Sequence, residues 1–263
     1  MGEAMVEVER NGAAAWVWLN RPELHNALNE ELVRELTNVF RALQGDTGTR
    51  VLVLCGRGRS FCAGADIESM KRQGAASATA NRDNARELAD LFHAIASSSK
   101  PTIARVHGAA IGGGLGLVSA CDIAIASSSA KFAASEVRLG LIPATIGPYV
   151  VRATGARWAR RLFQTAERIT AAQAEKIELV HEAVDPDALD ARVDEIIHEL
   201  LAGAPLAQRA AKELIDTVAD RPITAELIEY TAERIAMIRA QDEAREGLSA
   251  FLERRKPGWV PQK

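Results

Sequence analysis

Cysteine is scarce in this 263-residue chain: there are three, Cys55, Cys62 and Cys121, with no Cys-x-x-Cys spacing. An odd, unpaired set excludes a disulfide framework and a cysteine zinc site; it is the pattern of reduced thiols in a cytoplasmic protein. Histidine is sparse as well. His25, His93, His107, His181 and His198 are scattered without a His-Glu-x-x-His arrangement, so no metal site is expected. No apolar run reaches the about 18–20 residues that cross a bilayer. The opening stretch, Met1 to Glu7, has neither the basic nor the apolar region of a secretory signal. Positive charge is not in excess: 32 Lys and Arg against 35 Asp and Glu give a net charge of −3. Nothing therefore draws the whole chain to nucleic acid or an anionic membrane. The short basic run Arg254-Arg255-Lys256 lacks interleaved aromatics and does not change that. Neither Gly-x-Gly-x-x-Gly nor a glycine loop ending in Gly-Lys-Ser/Thr occurs, which argues against a phosphate cradle.

What is present is a hydrophobic content of 48% and a charged content of 25%, enough for one large core with at most a small appendage. Met5 to Glu9 alternates like a strand, Asn11-Gly12 turns, and Ala15 to Leu19 reads as the hairpin partner. Asn29 is placed to cap a helix whose Leu32, Leu36, Val39, Phe40 and Leu43 share a face. Val51 to Cys55 and Thr102 to Val106 are buried-strand candidates. Residues 67–99 read as helical with a break near Gly74, and Ile123 to Ala126 and Lys131 to Ala133 as short strands. From about Asp187 the pattern is helical, over 187–202, 205–219, 223–240 and 242–254, with Pro205 and Pro222 near helix starts. The expectation is an α/β core over 1–200 and a helical C-terminal region over 201–263.

Two loops carry the chemistry. Phe61-Cys62-Ala63-Gly64-Ala65-Asp66 follows one apolar strand, and Ile111-Gly112-Gly113-Gly114-Leu115-Gly116 follows another and leads into a helix. Small residues let backbone N–H groups approach a ligand, and one donor from each loop makes an oxyanion hole for charge developing on a carbonyl oxygen. Taken alone, the glycines of the second loop also admit a reading as tight helix–strand packing. Cys62 inside the first loop raises the question of a nucleophilic thiol, although no histidine stands at a spacing that would activate it.

These segments resemble the crotonase, or enoyl-CoA hydratase/isomerase, superfamily. The resemblance runs through Asn20-Arg21-Pro22 to Asn29, the two loops, Ala120-Cys121-Asp122, Phe132 to Pro143, Leu162 to Ile169 and Phe251 to Pro257. It implies a spiral of ββα units with a helical C-terminal trimerisation region, assembled as a homotrimer or a dimer of trimers. It implies that the Ala65 and Gly113 amides hold an acyl-CoA thioester oxygen, coenzyme A being part of the substrate and not a resident cofactor. It places CoA contacts around Leu24, Asn26, Ala63 and Ala65, with Asp66 nearby. Arg21 and Lys256 are its phosphate candidates, Lys256 from a neighbouring subunit. Asp66 and Asp122 read better as a helix cap and a backbone acceptor than as catalytic groups.

Hydratases of this superfamily use two glutamates. The second corresponds to Glu136; the first falls on Gly116, which has nothing to titrate. Glu136 is therefore the expected proton-transferring group, needing a pKa raised by apolar surroundings. Gly116 to Ala126, Ser135 to Pro143 and Pro148 to Val151 are similar to bacterial methylglutaconyl-CoA hydratases, and Ala144 to Tyr149 departs from the usual glycine-rich turn. Tyr149 either offers a hydroxyl to the site or simply packs. The expected function is a lyase adding water to a branched α,β-unsaturated acyl-CoA. Its rivals are an enoyl-CoA isomerase using Glu136 alone, and a non-catalytic acyl-CoA-binding or RNA-associated scaffold.

Overall fold

Alternation along β1 (Val6–Asn11) and β2 (Ala14–Leu19) produces an antiparallel hairpin with Val6 opposite Leu19, turned at Gly12, whose φ of +56° suits glycine. The computed structural model describes residues 4–261. Met1 to Glu3, part of the stretch read above for a signal, and the last two residues of the C-terminal region lie outside the described residues. After β2, α1 (Glu30–Gly45) starts where Asn29 accepts the Leu32 N–H, and it buries Leu32, Leu36, Phe40 and Leu43. The all-apolar β3 (Val51–Gly56) pairs parallel with β2 and is buried along its whole length. Next come α2 (Ile67–Gly74), α3 (Ala78–Ala96), β4 (Thr102–Val106), β5 (Ala109–Ile111), α4 (Gly113–Ala120), β6 (Ile123–Ser127) and β7 (Lys131–Ala133). The chain continues through α5 (Gly147–Thr165), β8 (Ile169–Thr170), α6 (Ala171–Lys176) and β9 (Glu182–Val184).

The larger sheet has the order β1-β2-β3-β4-β6-β9 and is parallel beyond the hairpin; the smaller has the order β5-β7-β8. The passes through the larger sheet at β4 and β6 are each followed by a short extended piece in the smaller layer and then a helix, β4-β5-α4 and β6-β7-α5. In the earlier turns that second piece shrinks to single bridges, Leu28 to Ala65 and Cys62 to Ala110. The second layer is where both candidate loops lie.

One core packs between the larger sheet and α1, α3 and α4, around Leu36, Phe40, Leu54, Phe61, Phe92 and Leu117. The opposite face of the sheet is closed by α7 (Leu189–Ala202) through Leu189, Val193 and Ile197. A parallel sheet needs both faces covered, which explains why β3 reads as a continuous apolar run. The three remaining helices, α8 (Pro205–Val218), α9 (Ala225–Arg239) and α10 (Asp242–Leu252), bury almost nothing; only Ala250 is buried. They are tied on by polar contacts: Lys212 to Asp122 at 2.8 Å, Arg234 to Glu213 at 2.9 Å, and Glu243 accepting the Leu206 and Ala207 N–H groups at the start of α8.

Candidate active site

The site is built from a strained turn and two interlaced loops. His25 and Asn26 are consecutive left-handed residues without being glycine, with φ of +50° and +56°. Such backbone persists only when its surroundings over-determine it. Here the Asn26 amide supplies the constraint. Its Oδ1 accepts the Arg21 N–H at 2.9 Å, while its Nδ2 donates to the Arg57, Ser60 and Phe61 carbonyls at 2.8–3.1 Å. Leu28, just beyond, donates to the Gly64 carbonyl at 2.7 Å and accepts from the Asp66 N–H at 2.9 Å. In a parallel bridge those bonds go to the neighbours of Ala65, so the N–H of Ala65 itself points to the other side.

On that other side lies the second loop. Cys62 donates to the Ala109 carbonyl at 2.9 Å and accepts from the Ile111 N–H at 3.0 Å. A Cβ on Gly64, whose φ is +99°, would be 2.9 Å from the Ile111 carbonyl oxygen, and one on Gly114 would collide with the Cys62 carbonyl. The loops approach this closely because both positions lack side chains. Gly112, at φ +52°, donates to the Ala133 carbonyl and turns the chain into α4. Gly113 thus stands in the first turn of α4, where an N–H has no helical acceptor. Among the described residues neither the Ala65 nor the Gly113 N–H has an acceptor within the chain.

Glu136 opens a 3-10 turn, Glu136–Leu139, directly after β7. Its Oε1 lies 3.4 Å from where a Cβ on Gly112 would stand, one residue before the free Gly113 amide. Its Oε2 is buried with no hydrogen-bond partner. Burial pushes the carboxyl pKa above its usual range, desolvation outweighing a hydrogen bond from its own backbone. The three expected catalytic positions therefore come together.

The first-glutamate position of the superfamily pattern is filled with hydrocarbon. A Cβ on Gly116 would collide with Ile146 Cγ2 and lie 2.8 Å from Phe92 Cε1, and both side chains are fully buried. Tyr149 packs on Phe92, ring centroids 5.9 Å apart, with burial raising its phenol pKa. It lines a cavity of about 380 Å³ between the core and α8, walled also by the Lys212–Asp122 and Arg152–Asp216 pairs and not by Glu136, Ala65 or Gly113. Tyr149 thus packs on Phe92 at the wall of this cavity. Cys62 is fully buried with its thiol pushed up to about 12, so it holds no thiolate at neutral pH.

The expected binding residues divide. Leu24 is exposed and Ala63 and Ala65 lie on the first loop, where a ligand can reach them. Asp66 caps α2, its Oδ1 accepting the Glu68 and Ser69 N–H groups at 2.9 and 3.1 Å. Arg21 corrects its assignment as a phosphate contact: it is 9% exposed, donates to the Ala27 carbonyl and is paired with Asp66 Oδ2 at 3.0 Å. Asn26 is fully buried and serves through its side chain as well as its backbone, a role sequence reasoning missed. Lys256 follows α10, in a tail whose Trp259 docks beside Arg50, at the start of β3. The loops leave the other end of that six-residue strand, roughly 20 Å from where Trp259 docks. No group of three or more potential metal ligands occurs among the described residues.

Comparison with known proteins gives a consistent picture. A family model described as enoyl-CoA hydratase/isomerase matches residues 9–262. A crystal structure of an enoyl-CoA hydratase from Shewanella pealeana superposes with a TM-score of 0.95 at 40% identity, covering 97% of this chain and 96% of that one. A crotonyl-CoA hydratase of Syntrophomonas wolfei is 35% identical, over 96% of each chain. A 2,3-dehydroadipyl-CoA hydratase of Escherichia coli is 32% identical, over 95% of this chain and 96% of its own length.

Proposed function

The chain belongs to the enoyl-CoA hydratase/isomerase family and has its ββα-spiral fold with a helical C-terminal region, and from that premise we propose that it adds water to the double bond of an α,β-unsaturated acyl-CoA. One observation carries this reading: two free amides on interlaced loops lie beside a buried carboxylate oxygen with no partner. The thioester oxygen accepts from the Ala65 and Gly113 N–H groups, and the N-terminal end of α4 favours the negative charge that develops there. Relatives named as hydratases support water addition over other enolate chemistry.

With hydrocarbon at position 116, Glu136 serves both proton transfers in turn. As carboxylate it takes a proton from the water whose oxygen bonds to the β-carbon, and the electron pair moves to the thioester oxygen as an enolate. It then returns that proton to the α-carbon, so the side chain ends as it began. A raised pKa makes the carboxylate a stronger base for the first step, while the acid it forms still returns the proton in the second. The finer reading is a branched substrate such as 3-methylglutaconyl-CoA. Its support is the similarity of residues 116–126, 135–143 and 148–151 to enzymes of that kind, together with the 144–149 turn that sets Ile146 against Gly116. We further propose a cytoplasmic homotrimer or dimer of trimers that needs no resident cofactor or metal.

The hydrocarbon at Gly116 favours a second reading, an isomerase in which Glu136 moves one proton between two carbons of a 3-enoyl-CoA. Assays on purified protein separate the two. Conversion of 3-methylglutaconyl-CoA to the 3-hydroxyacyl thioester is the expected result; double-bond migration alone would overturn the hydratase assignment. A Glu136→Gln variant with unchanged activity would remove Glu136 from the chemistry, and a wild type with neither activity would leave only a binding scaffold.

A further inference from the structure

We propose that Arg21 is a positioning residue, a clamp that holds the Ala65 amide at the angle the oxyanion hole requires. The inference rests on the enolate reading above and goes beyond it by naming what fixes one of the two donors. Ala65 is not held by its own N–H, which must stay free; it is held through the Leu28 bridge. That bridge has only two hydrogen bonds, Leu28 N–H to Gly64 at 2.7 Å and Asp66 N–H to Leu28 at 2.9 Å. The Arg21 guanidinium spans it from both flanks. One nitrogen donates to the carbonyl of Ala27, the residue before Leu28, and another to the carboxylate of Asp66, the residue after Ala65.

The far ends of the clamp are fixed as well. Asp66 Oδ1 is held by two N–H groups of α2, and the Arg21 main chain donates to Asn26 Oδ1 and accepts from the Leu24 and Asn26 N–H groups at 3.0 and 2.9 Å. A planar fork reaches two acceptors on opposite flanks of one bridge; the single ammonium of lysine does not. With its charge already matched by Asp66 and its side chain 11% exposed, Arg21 is occupied inside the protein. Displacement of a donor by tenths of an ångström weakens transition-state stabilisation without altering ground-state contacts to the rest of the substrate.

The test compares Arg21→Met and Arg21→Lys with the wild type in three measurements: the carbonyl stretching frequency of a bound 2-enoyl-CoA thioester, kcat, and affinity for free coenzyme A. The wild type is expected to lower the carbonyl frequency relative to solution. Arg21→Met should lose at least half of that shift and about 10–100-fold in kcat, with coenzyme A affinity within twofold of wild type. Arg21→Lys should fall between them. If the carbonyl shift survives in Arg21→Met, the clamp is refuted: a fall in coenzyme A affinity would then make Arg21 a phosphate contact, and no fall would make it a structural ion pair. A wild type with no carbonyl shift would refute the oxyanion hole itself, and the clamp with it. Should Arg21→Met not fold, Asp66→Asn carries the same comparison, since its amide oxygen still caps α2 while the anionic partner of Arg21 is gone.

Discussion

At the scale of single residues, Glu136 is placed where stability and chemistry oppose each other. Its carboxylate lies beside Gly112 with one oxygen buried and unpartnered, and burial raises its pKa. The folded state therefore favours the neutral acid, so Glu136 contributes stability below the ordinary carboxylate pKa, and that contribution is lost as pH rises through its raised value. Glu136→Gln is expected to melt at a higher temperature than wild type at pH 8, with the difference shrinking towards pH 4, while turnover falls about 100- to 10,000-fold. Scanning calorimetry across pH together with steady-state kinetics measures both. The wild-type kcat/KM should likewise fall on the acid side at a pH above the ordinary range for glutamate, because the reaction begins with the carboxylate. Gly116 makes the complementary case. Its missing side chain leaves no room, since Ile146 and Phe92 occupy it. Gly116→Glu should thus cost about 1–3 kcal/mol or more in denaturant unfolding and bring no gain in hydration. A measured gain would show that the hydrocarbon wall yields and that water is activated from that side.

At the scale of elements, the N-terminus of α4 is seated by contacts that single out two glycines. A Cβ on Gly113 would meet the end of the Leu28 side chain at 2.7 Å, a side-chain atom that can shift more readily than backbone, whereas one on Gly114 would strike the Cys62 main-chain carbonyl. Gly114→Ala must part the two loops and is expected to lower kcat about 100-fold or more; Gly113→Ala is expected to be the milder change. Equal losses would mean that the loops are not rigidly laced. The same elements show what the chain's local order revealed in advance. Asn29 and Asp66 were readable as caps, β3 as a buried strand and the C-terminal helices from their periodicity, because each depends on neighbours within a few residues. The second layer was less legible, since its early turns are one-residue bridges at Leu28, Cys62 and Ala65, too short to carry any period. The sequence over α5 carries no clear helical signal either. Gly147, Pro148 and the valines after it mask its start, and Gly155, at φ +71°, interrupts it. The resemblance located Glu136 and the two amides. The pairing of Arg21 with Asp66 spans 45 positions and leaves no local trace, so Arg21 looked like a free cation.

At the scale of the whole molecule, the C-terminal helices pose an imbalance that the single chain does not resolve. Residues α8 and α9 contribute nothing to the buried core, yet Ile223, Ile228, Ile235 and Met237 stand exposed, joined by Leu248, Phe251 and Leu252 of α10. Phe251 and Leu252 are 79% and 78% exposed. Large apolar side chains left exposed on these helices are what the proposed association of copies would cover. Association of copies through these helices would also bear on the site, because Lys256, four residues beyond Leu252, follows directly on the exposed apolar end of α10. Sedimentation of the wild type is expected to give a mass of three or six times the 28.3 kDa chain. Phe251→Asp combined with Leu252→Asp should shift that distribution towards the single chain, weakening association by about 30-fold or more, as expected for truncation of interface anchors. If Lys256 of one copy meets the coenzyme A of another, the dissociated variant should show a raised KM for the thioester with a smaller change in kcat, and Lys256→Ala in the assembled protein should reproduce the KM effect alone. A dissociated variant with unchanged KM would confine Lys256 to the surface and make the site complete within one chain.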